Sequence, residues 1–267
     1  MSTIKEMMNI KGRCALITGA AGGLGSVMAD TLAELGADLI LVDRPGTDYK
    51  IMVDLLRKQW NVQIWTYNCD LEEHNQRLEL LELVKKNHAE ISILINNAAF
   101  IGDSNLKGWA APFEQQTVET WRRALEVNLT APFHLCQVLS PLLKKSPGAV
   151  IINIGSIYGE YGPDWRLYED TSMGNPAAYG ASKGGLIQLT RWLTTTLAPS
   201  IRVNAISPGG IFRNQPDAFL KRYESRTPLA RMGTEEDFRG AIAYLATDMS
   251  KYVSGHVLAV DGGWGIW

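Results

Sequence analysis

The sequence lacks the residues on which several classes of protein depend. Its 267 residues include only three cysteines, Cys14, Cys69 and Cys136, and no C-x-x-C pair, so neither a disulfide scaffold nor a zinc cluster is expected. The four histidines show no metal-ligand spacing, and we predict no metal site. No apolar run approaches the ~20 residues of a membrane span, and the N-terminus is a poor secretory signal. We therefore expect a cytoplasmic protein without a membrane partner.

The chain also lacks an excess of charge of either sign. Lys and Arg total 26, Asp and Glu total 28, and the net charge is −2. A general nucleic-acid binder carries a broad positive field, so nucleic acid is not an expected partner. Hydrophobic residues make up 46% and charged residues 20%, which is typical of a globular protein that binds small molecules.

What the sequence does have is a regular alternation of short β-branched runs and longer helical patterns. Several runs are apolar without alternation, which is typical of strands buried on both faces of a parallel sheet. Strands are predicted at 13–18, 38–43, 62–67, 91–96, 149–154, 201–206 and 257–260. Helices are predicted at about 24–35, 54–60, 72–86, 118–143, 177–197 and 235–247.

No linker or repeat interrupts this alternation. It favours one α/β domain over 1–267, with a Rossmann-like, doubly wound parallel sheet of about seven strands and helices on both faces. Length alone leaves two domains open.

A glycine-rich segment leaves the first predicted strand and opens the first predicted helix. Glycines allow a sharp turn and a close approach to a pyrophosphate, and the helix N-terminus supplies free N–H groups for that anion. In this context the segment predicts a nucleotide site, with a plain tight turn as the alternative. Its candidate residues are Thr18, Gly19, Ala21, Gly22, Gly23, Leu24 and Gly25.

Two acidic residues at strand ends are candidates for binding the rest of a dinucleotide. Asp43 ends the second strand, where a carboxylate accepts hydrogen bonds from a ribose and repels a 2′-phosphate, which favours NAD over NADP. The neighbouring Arg44 leaves NADP open, because a guanidinium could bind that phosphate. Asp70, with Leu71 beside it, could reach the adenine, although a turn-forming aspartate is also possible.

Tyr179 and Lys183 lie four residues apart in a predicted helix and therefore share a face. A free phenol, with a pKa of about 10, is a poor base. One positive charge at ~4 Å, with an effective dielectric of ~20, favours the phenolate by ~4 kcal/mol, or about three pKa units. We therefore expect a Tyr179 pKa of about 7, which suits general acid–base catalysis. The alternative is a tyrosine packed on a lysine stem at the surface.

Three polar residues accompany this pair. Ser156 follows the strand 149–154 at its carboxyl end, where ligands bind in open α/β sheets, and could hydrogen-bond a substrate oxygen. Asn97 ends the fourth strand at the same edge. Asn128 lies in a long helical pattern although asparagine is a weak helix former, so it could kink the helix and hold a water, or face solvent.

In their order along the chain, these residues resemble the classical short-chain dehydrogenase/reductase family. The resemblance runs from 13 to 263 and rests on the glycine motif, Asp70, Asn96 to Ala98, Asn128, Ser156, Tyr179, Lys183, Pro208 and Gly209, and Val260 to Gly263. It implies hydride transfer between a nicotinamide cofactor, NAD or NADP, and an alcohol or carbonyl carbon. The cofactor site would then also include Ala98, Ala99, Pro208, Gly209 and Ile211, although the family usually has glycine where this chain has Ala99.

The resemblance further implies roles for four residues and an assembly. Tyr179 would exchange a proton with the substrate oxygen, which Ser156 would orient. Lys183 would lower the Tyr179 pKa and bind the nicotinamide ribose, and Asn128 would hold a water. A homotetramer or homodimer would form through the long helices around Asn128 and Tyr179 and the tail 264–267.

The segment 159–170, which we call the insertion, separates Ser156 from Tyr179 by more residues than the family usually has. It mixes aromatic and acidic residues, and both of its ends lead to catalytic positions, so we expect it over the pocket. This composition suits a polyhydroxylated, sugar-like substrate better than a fatty-acyl or steroid one, and it is similar to family members of bacterial surface-sugar pathways. A surface loop or an oligomer contact is the alternative.

The candidate substrate residues include two arginines that could clamp a phosphate or a carboxylate. They are Ile157, Tyr158, Arg166, Gly210 and Arg213. In the family, 211–227 would form a mobile lid that excludes water, with a surface helix as the alternative.

Two other functions stay open. A 3-oxoacyl-thioester (acyl-carrier-protein) reductase is compatible with the core motifs, although the polar insertion argues against it. A non-catalytic protein that senses the cofactor would keep the fold, but such proteins usually lose the tyrosine or lysine that this chain retains.

Overall fold

The computed structural model describes residues 1–102 and 106–267. In this part of the chain a seven-stranded, wholly parallel sheet has the order β3-β2-β1-β4-β5-β6-β7. The strands are β1 (Cys14–Thr18), β2 (Asp38–Asp43), β3 (Ile64–Asn68), β4 (Ile93–Asn96), β5 (Ala149–Ile154), β6 (Ile201–Pro208) and β7 (Val257–Val260). The predicted doubly wound sheet is confirmed, and its strand order reverses between β1 and β4, where such sheets hold their ligands.

Helices cover both faces of the sheet. They are α1 (Ile4–Met8), α2 (Gly23–Glu34), α3 (Lys50–Trp60), α4 (His74–Asn87), α5 (Val118–Leu125), α6 (Ala131–Leu143), α7 (Ala177–Leu197), α8 (Asp217–Arg226) and α9 (Arg239–Ala246). Helices α2, α3 and α9 pack on one face and α4, α6 and α7 on the other.

Strand β2 illustrates why the strand runs are continuously apolar. Leu39 and Leu41 point into one core, Ile40 and Val42 into the other, and none of the four is exposed to solvent. A strand buried on both faces has no position left for a polar side chain.

The predicted helix 118–143 is one continuous helical stretch, because the residues at each junction keep right-handed helical dihedral angles. It contains a π-helical turn, Glu126–Thr130, between α5 and α6, which the sequence did not predict. Likewise, the predicted helix 235–247 begins as a 3₁₀ turn, Glu235–Phe238, before α9.

Helix α1 was not predicted, and α8 corresponds to the helix that was given as the alternative to a lid in 211–227. Helix α1 is a single short stretch held by a capping box between Thr3 and Glu6, and none of its residues is buried. Helix α8 lies in the segment expected to form a lid, and buries only Phe219 and Tyr223. Within the described residues, no helix combines the length and the apolar character that crossing a membrane requires.

Candidate active site

The carboxyl ends of β1, β4, β5 and β6 meet at one edge of the sheet. The glycine-rich segment leaves β1 there, Asn97 follows β4, Ser156 lies two residues beyond β5, and Pro208 ends β6. The parallel register aligns neighbouring strands, as in the pairing of Asn96 with Asn153. The fold therefore brings most of the sequence-predicted site residues to a single edge.

The glycine-rich turn fits a pyrophosphate because it has no room for side chains. Gly19 has a φ of 63°, and a Cβ on it would lie 2.9 Å from the Ala98 Cα. A Cβ on Gly25 would overlap the Gly19 carbonyl. Helix α2 begins after Gly22 with no side-chain cap, so the N–H groups of its first turn remain available to an anion.

Side chains from β1 and β4 hold this turn in place. Thr18 Oγ1 accepts hydrogen bonds from the N–H groups of Asn97 and Ala98, both at 3.1 Å. Asn97 Nδ2 donates to the carbonyls of Thr18 (2.9 Å) and Gly19 (3.0 Å). Thr18 and Asn97 therefore lie at the predicted edge of the sheet, and their hydrogen bonds also hold the glycine-rich turn against the loop after β4. Ala98 and Ala99 are half-buried beside them.

Asp43 also contacts the turn. Its carboxylate accepts hydrogen bonds from the N–H groups of Ala21 (2.9 Å) and Arg44 (2.8 Å), while the Arg44 side chain is exposed. Asp70 accepts from the Glu72 N–H at 3.0 Å, as a turn-forming aspartate does, and Leu71 beside it is buried.

The catalytic candidates lie together beneath this edge. Tyr179 and Lys183 share one face of α7, and Lys183 is only 2% exposed. Lys183 Nζ lies 5.8 Å from the centre of the Tyr179 ring and donates to the Ile154 carbonyl at the end of β5 (2.6 Å). Ser156 is also buried, and its Oγ accepts from the Tyr158 N–H at 3.2 Å. The surface-packing alternative for the pair is wrong.

The expected Tyr179 pKa of about 7 is also wrong. Burial raises the pKa of Tyr179 above its ordinary value, a hydrogen bond from Ser156 lowers it in part, and the nearby Tyr168 raises it further. Burial also lowers the pKa of Lys183, to about 8, and its Nζ donates to the Ile154 carbonyl. The sequence estimate counted the attraction between the two charges and omitted the cost of removing the phenolate from water.

Asn128 lies inside the π-helical turn and is completely buried, so the solvent-facing alternative is wrong. Its Oδ1 accepts from the Phe100 N–H at 2.6 Å, and its Nδ2 donates to Ser182 Oγ at 3.0 Å. These bonds connect the loop after β4 to α7, one residue before Lys183. The side chain is thus used in positioning, and π turns of this kind are frequent at functional sites.

The structure places both predicted arginine clamps in ion pairs within the chain. Arg166 binds Asp164 through two bonds of 2.8 and 2.7 Å, and its side chain is 76% exposed. Arg213 lies over Gly23 at the glycine-rich turn, in an ion pair with Glu235. The sequence analysis did not identify either carboxylate as a partner of these arginines.

The remaining candidates lie near the ends of β5 and β6. Ile157 is buried, and the Gly210 N–H donates to the Tyr223 hydroxyl at 2.5 Å. Ile211 forms a β-bridge with Gly233.

A third apolar core, which the sequence analysis missed, joins the insertion to α8 and the C-terminal tail. We call it the cover core, and its buried members are Ile157, Leu167, Phe219, Tyr223, Met232 and Trp264. Trp264 stacks on Tyr223 with ring centres 6.3 Å apart, and the Arg226 guanidinium lies 4.8 Å from the Trp264 ring. The aromatic residues of 158–168, 219–223 and 264 were the available signal. Trp264 therefore packs within its own chain, although the sequence predicted an oligomer contact.

A cavity of about 610 Å³ lies between the insertion and the loop that precedes α5. Among the described residues its wall is formed by 110–113, 116, 158, 161–163, 165, 171–177 and 180, and it includes no charged side chain. The acidic groups of the insertion point elsewhere, since Asp164 binds Arg166 and Arg226 and Asp170 binds Arg222. The wall is therefore uncharged and mostly apolar.

Three uncharged polar side chains meet between this cavity and the cover core. The hydroxyls of Tyr158 and Tyr168 lie 2.7 Å apart, and Asn175 Nδ2 donates to the Tyr168 hydroxyl at 3.3 Å. Burial raises the pKa of both tyrosines, so both remain phenols. If Tyr158 donates to Tyr168, the Tyr168 oxygen accepts twice and its own proton stays available.

Fold and site together define an oxidoreductase that binds a dinucleotide at the edge of a parallel sheet. A family model described as enoyl-(acyl carrier protein) reductase matches residues 19–265. The chain is 32% identical over 266 residues to a 3-oxoacyl-[acyl-carrier-protein] reductase of Thermotoga maritima, which covers 96% of this chain and 99% of that protein.

Solved structures agree with this match. A short-chain dehydrogenase of Leptospira borgpetersenii with bound NAD+ has a TM-score of 0.82 and 32% identity, covering 99% of this chain and 96% of that one. An NADPH-dependent 3-quinuclidinone reductase of Rhodotorula rubra has a TM-score of 0.87 and 25% identity, and the match covers 100% of this chain and 96% of that one. The chain belongs to the short-chain dehydrogenase/reductase family. It is an oxidoreductase of CH–OH and C=O groups that uses NAD(P), as the sequence predicted.

Within the described residues, no group of three or more His, Cys, Asp or Glu side chains is arranged to hold a metal ion.

Proposed function

We propose that the protein interconverts a secondary alcohol and a ketone on a polyhydroxylated, uncharged substrate, with NAD as the preferred cofactor. The observation that carries this proposal is the convergence of the buried Ser156 and Lys183 and the half-buried Tyr179 at the edge that also holds the glycine-rich turn. When bound there, NAD(P) supplies or accepts the hydride at the nicotinamide ring.

The chain's own residues handle the proton and the substrate oxygen. Tyr179 exchanges its hydroxyl proton with that oxygen, and Ser156 donates a second hydrogen bond to it, which stabilises the negative charge that develops during reduction. Lys183 adds positive charge below the phenol while its Nζ is anchored on Ile154. Asn128 positions the loop after β4 against α7.

Asp43 supports the preference for NAD. Its carboxylate is fixed beside the glycine-rich turn by the Ala21 N–H, where it would repel a 2′-phosphate. The Arg44 backbone N–H donates to Asp43, but its exposed side chain makes no bond to that carboxylate. The guanidinium therefore does not neutralise Asp43 through a direct contact.

The polar cluster of Tyr158, Tyr168 and Asn175 supports a substrate with more than one oxygen. The proton of the Tyr168 hydroxyl is available when its oxygen accepts from both neighbours, and Tyr168 lies close enough to influence the pKa of Tyr179. A hydroxyl or carbonyl adjacent to the reacting carbon would accept this hydrogen bond.

The apolar cavity favours a second candidate function, reduction of a 3-oxoacyl thioester. Its uncharged wall would suit an acyl chain, and the Thermotoga maritima relative carries that activity in its name. The two candidates therefore differ in whether the substrate's second contact is a hydrogen bond at Tyr168 or apolar surface in the cavity.

A substrate panel tests the proposal and separates the two candidates. Sugars, polyols and 3-oxoacyl thioesters are assayed with NADH or NAD+ and with the corresponding NADP forms. Tyr168→Phe should raise KM for polyols about tenfold, since one hydrogen bond to substrate is lost, and leave thioester kinetics unchanged. Turnover confined to thioesters, or a lower Kd for NADPH than for NADH, would overturn the corresponding part of the proposal.

We also propose that the chain is a single domain that works as a homodimer or homotetramer in the cytoplasm. The sheet draws strands from Cys14 to Val260, which supports one domain. Free cysteines at Cys14, Cys69 and Cys136 suit a reducing compartment. Exposed aromatic residues on α5, α6 and α7 support association through those helices.

A further inference from the structure

An ion pair lies directly over the start of α2. Arg213 Nη2 and Glu235 Oε1 are 2.5 Å apart, and a Cβ built on Gly23 would lie 2.7 Å from the first and 2.6 Å from the second. Gly23 is the first residue of α2, whose N-terminus is free of any side-chain cap. The pair therefore occupies the approach to the N–H groups that suit a pyrophosphate.

The segment that carries Arg213 is held against the segment that carries Glu235. The Phe212 N–H donates to the Gly233 carbonyl at 2.9 Å, two residues before Glu235. Gln215 fixes the turn itself, because its Oε1 accepts from the Arg213 N–H at 2.6 Å and its Nε2 donates to the Ile211 carbonyl at 2.8 Å. The guanidinium is thus presented to the glycine-rich turn by a defined backbone.

The ion pair is also exposed enough to be exchanged. The Arg213 side chain is 48% exposed and that of Glu235 is 29% exposed. Ion pairs of this kind contribute little net stability, because water solvates both partners well when they separate. A pyrophosphate carries two negative charges and accepts paired N–H donors, so it competes effectively with one carboxylate for a guanidinium.

We propose that Arg213 is a cofactor-binding residue that exchanges its bond to Glu235 for one to the pyrophosphate of NAD(P). Glu235 then acts as an internal competitor that occupies Arg213 in the free protein and weakens cofactor binding. The exchange would draw the first residues after β6 toward the cofactor, in the segment that leads into α8. This inference rests on the use of NAD(P) and is independent of the proposed substrate.

Direct binding measurements on variants of the two partners test the exchange. Arg213→Gln should raise the Kd of NADH about tenfold or more, because a charged contact to the pyrophosphate is lost. Glu235→Gln should lower the Kd of NADH several-fold, about threefold to tenfold, because the competitor is removed. NADH fluorescence titration reports both, and thermal unfolding checks that each variant is folded.

The opposite signs distinguish exchange from a structural salt bridge. If the ion pair only stabilised the fold, both variants would lose the same contact and bind NADH more weakly together. ADP-ribose should reproduce the NADH results, whereas adenosine, which lacks the pyrophosphate, should bind all variants within twofold. Equal weakening in both variants, or an Arg213→Gln variant that binds NADH as the wild type does, would overturn the proposal.

The neighbouring pair of Arg231 and Asp237 provides a matched control. Its closest N–O distance is 2.6 Å and its exposed fractions, 50% and 29%, resemble those of the proposed pair. Unlike Arg213 and Glu235, neither of these side chains is among the atoms nearest to a Cβ built on Gly23. Arg231→Gln should therefore leave the Kd of NADH within twofold of the wild type, and a tenfold rise in this control would assign the effect to general loss of positive charge, against the proposal.

Discussion

At the scale of single residues, burial decides how the catalytic pair behaves. Lys183 is buried and Tyr179 is partly buried, so the charged form of each is penalised, and the phenol pKa rises while the ammonium pKa falls. Their mutual attraction is strongest only when both are ionised. Positive charge added beside Tyr179 should therefore lower the phenol pKa strongly, since little water is present to screen that charge.

The lowered pKa of Lys183 predicts a pH-dependent cost to stability. Burial places this pKa at about 8, whereas an unfolded lysine titrates near its ordinary value of about 10.4. Between these values the unfolded chain binds more protons than the folded one, so the stability due to Lys183 rises with pH. Below pH 8 the buried ammonium costs the fold about 3 kcal/mol, and above about pH 10.4 this cost is gone.

Lys183→Met measures this cost because it removes the titrating group. Urea unfolding of both proteins at one protein concentration should show the wild-type free energy of unfolding rising relative to the variant by about 2 kcal/mol between pH 8 and pH 9.5. The lost bond to Ile154 affects both pH values alike and cancels. A difference between the two proteins that stays constant with pH would refute the depressed pKa.

Residue types indicated the chemistry of the site better than they indicated its ionic contacts. Ser156, Tyr179 and Asn128 were predicted from their place in the chain, and the structure buries Ser156 and Asn128 and leaves Tyr179 half-buried. Arg166 and Arg213 were predicted as clamps for a substrate phosphate or carboxylate, whereas the structure pairs them with Asp164 and Glu235 of the same chain. Such pairings depend on the folded backbone and leave no periodic signal in the sequence.

At the scale of elements, continuous apolar runs made the strands predictable. The predicted bounds of β2, β5 and β7 agree with the structure. For β2 and β5 the reason is that both faces of a buried strand demand apolar side chains. The π-helical turn at Asn128 was not predictable in this way, since the apolar stripe of α5 continues into α6. The segment 211–227 was predicted as a lid, and α8 within it packs on the cover core.

Two arginines on α8 allow the cover core to be tested. Arg226 binds Asp164 of the insertion at 2.9 Å, and that carboxylate is only 12% exposed. Arg222 binds Asp170 at 3.2 Å, but there the carboxylate is 87% exposed. Only the first pair is shielded from water, so only Arg226 should contribute measurably to stability.

We expect Arg226→Met to lower the free energy of unfolding by about 1–2 kcal/mol, because it removes a charged hydrogen bond while keeping apolar contact with Trp264. Arg222→Met should change it by less than about 0.5 kcal/mol. Denaturant titration of both variants makes the comparison. If the free energy of unfolding fell equally in the two variants, the shielded contact to Asp164 would stabilise the fold no more than the exposed contact to Asp170.

At the scale of the whole molecule, three of the exposed aromatic residues lie on helices α5, α6 and α7. Trp121 on α5, Phe133 on α6 and Trp192 on α7 are each at least 39% exposed, and these three helices are the elements that the family resemblance assigns to subunit contacts. Large exposed aromatic side chains are favoured at interfaces between chains, where they bury a large area at a small entropic cost. Trp192, at 55% exposure, is the most exposed of the three.

Trp192→Glu should therefore reduce the molecular mass in solution by at least half, because burying an unpaired carboxylate in a subunit contact costs more than a typical aromatic contact contributes. Ile51→Glu is the matched control, since Ile51 is 73% exposed but lies on α3, on the opposite face of the sheet. Light scattering after size exclusion should give the control the wild-type mass. A wild-type protein that is already monomeric, or a Trp192→Glu variant that keeps the wild-type mass, would show that these helices do not join subunits. In either case the exposed aromatic residues of α5, α6 and α7 would need another explanation.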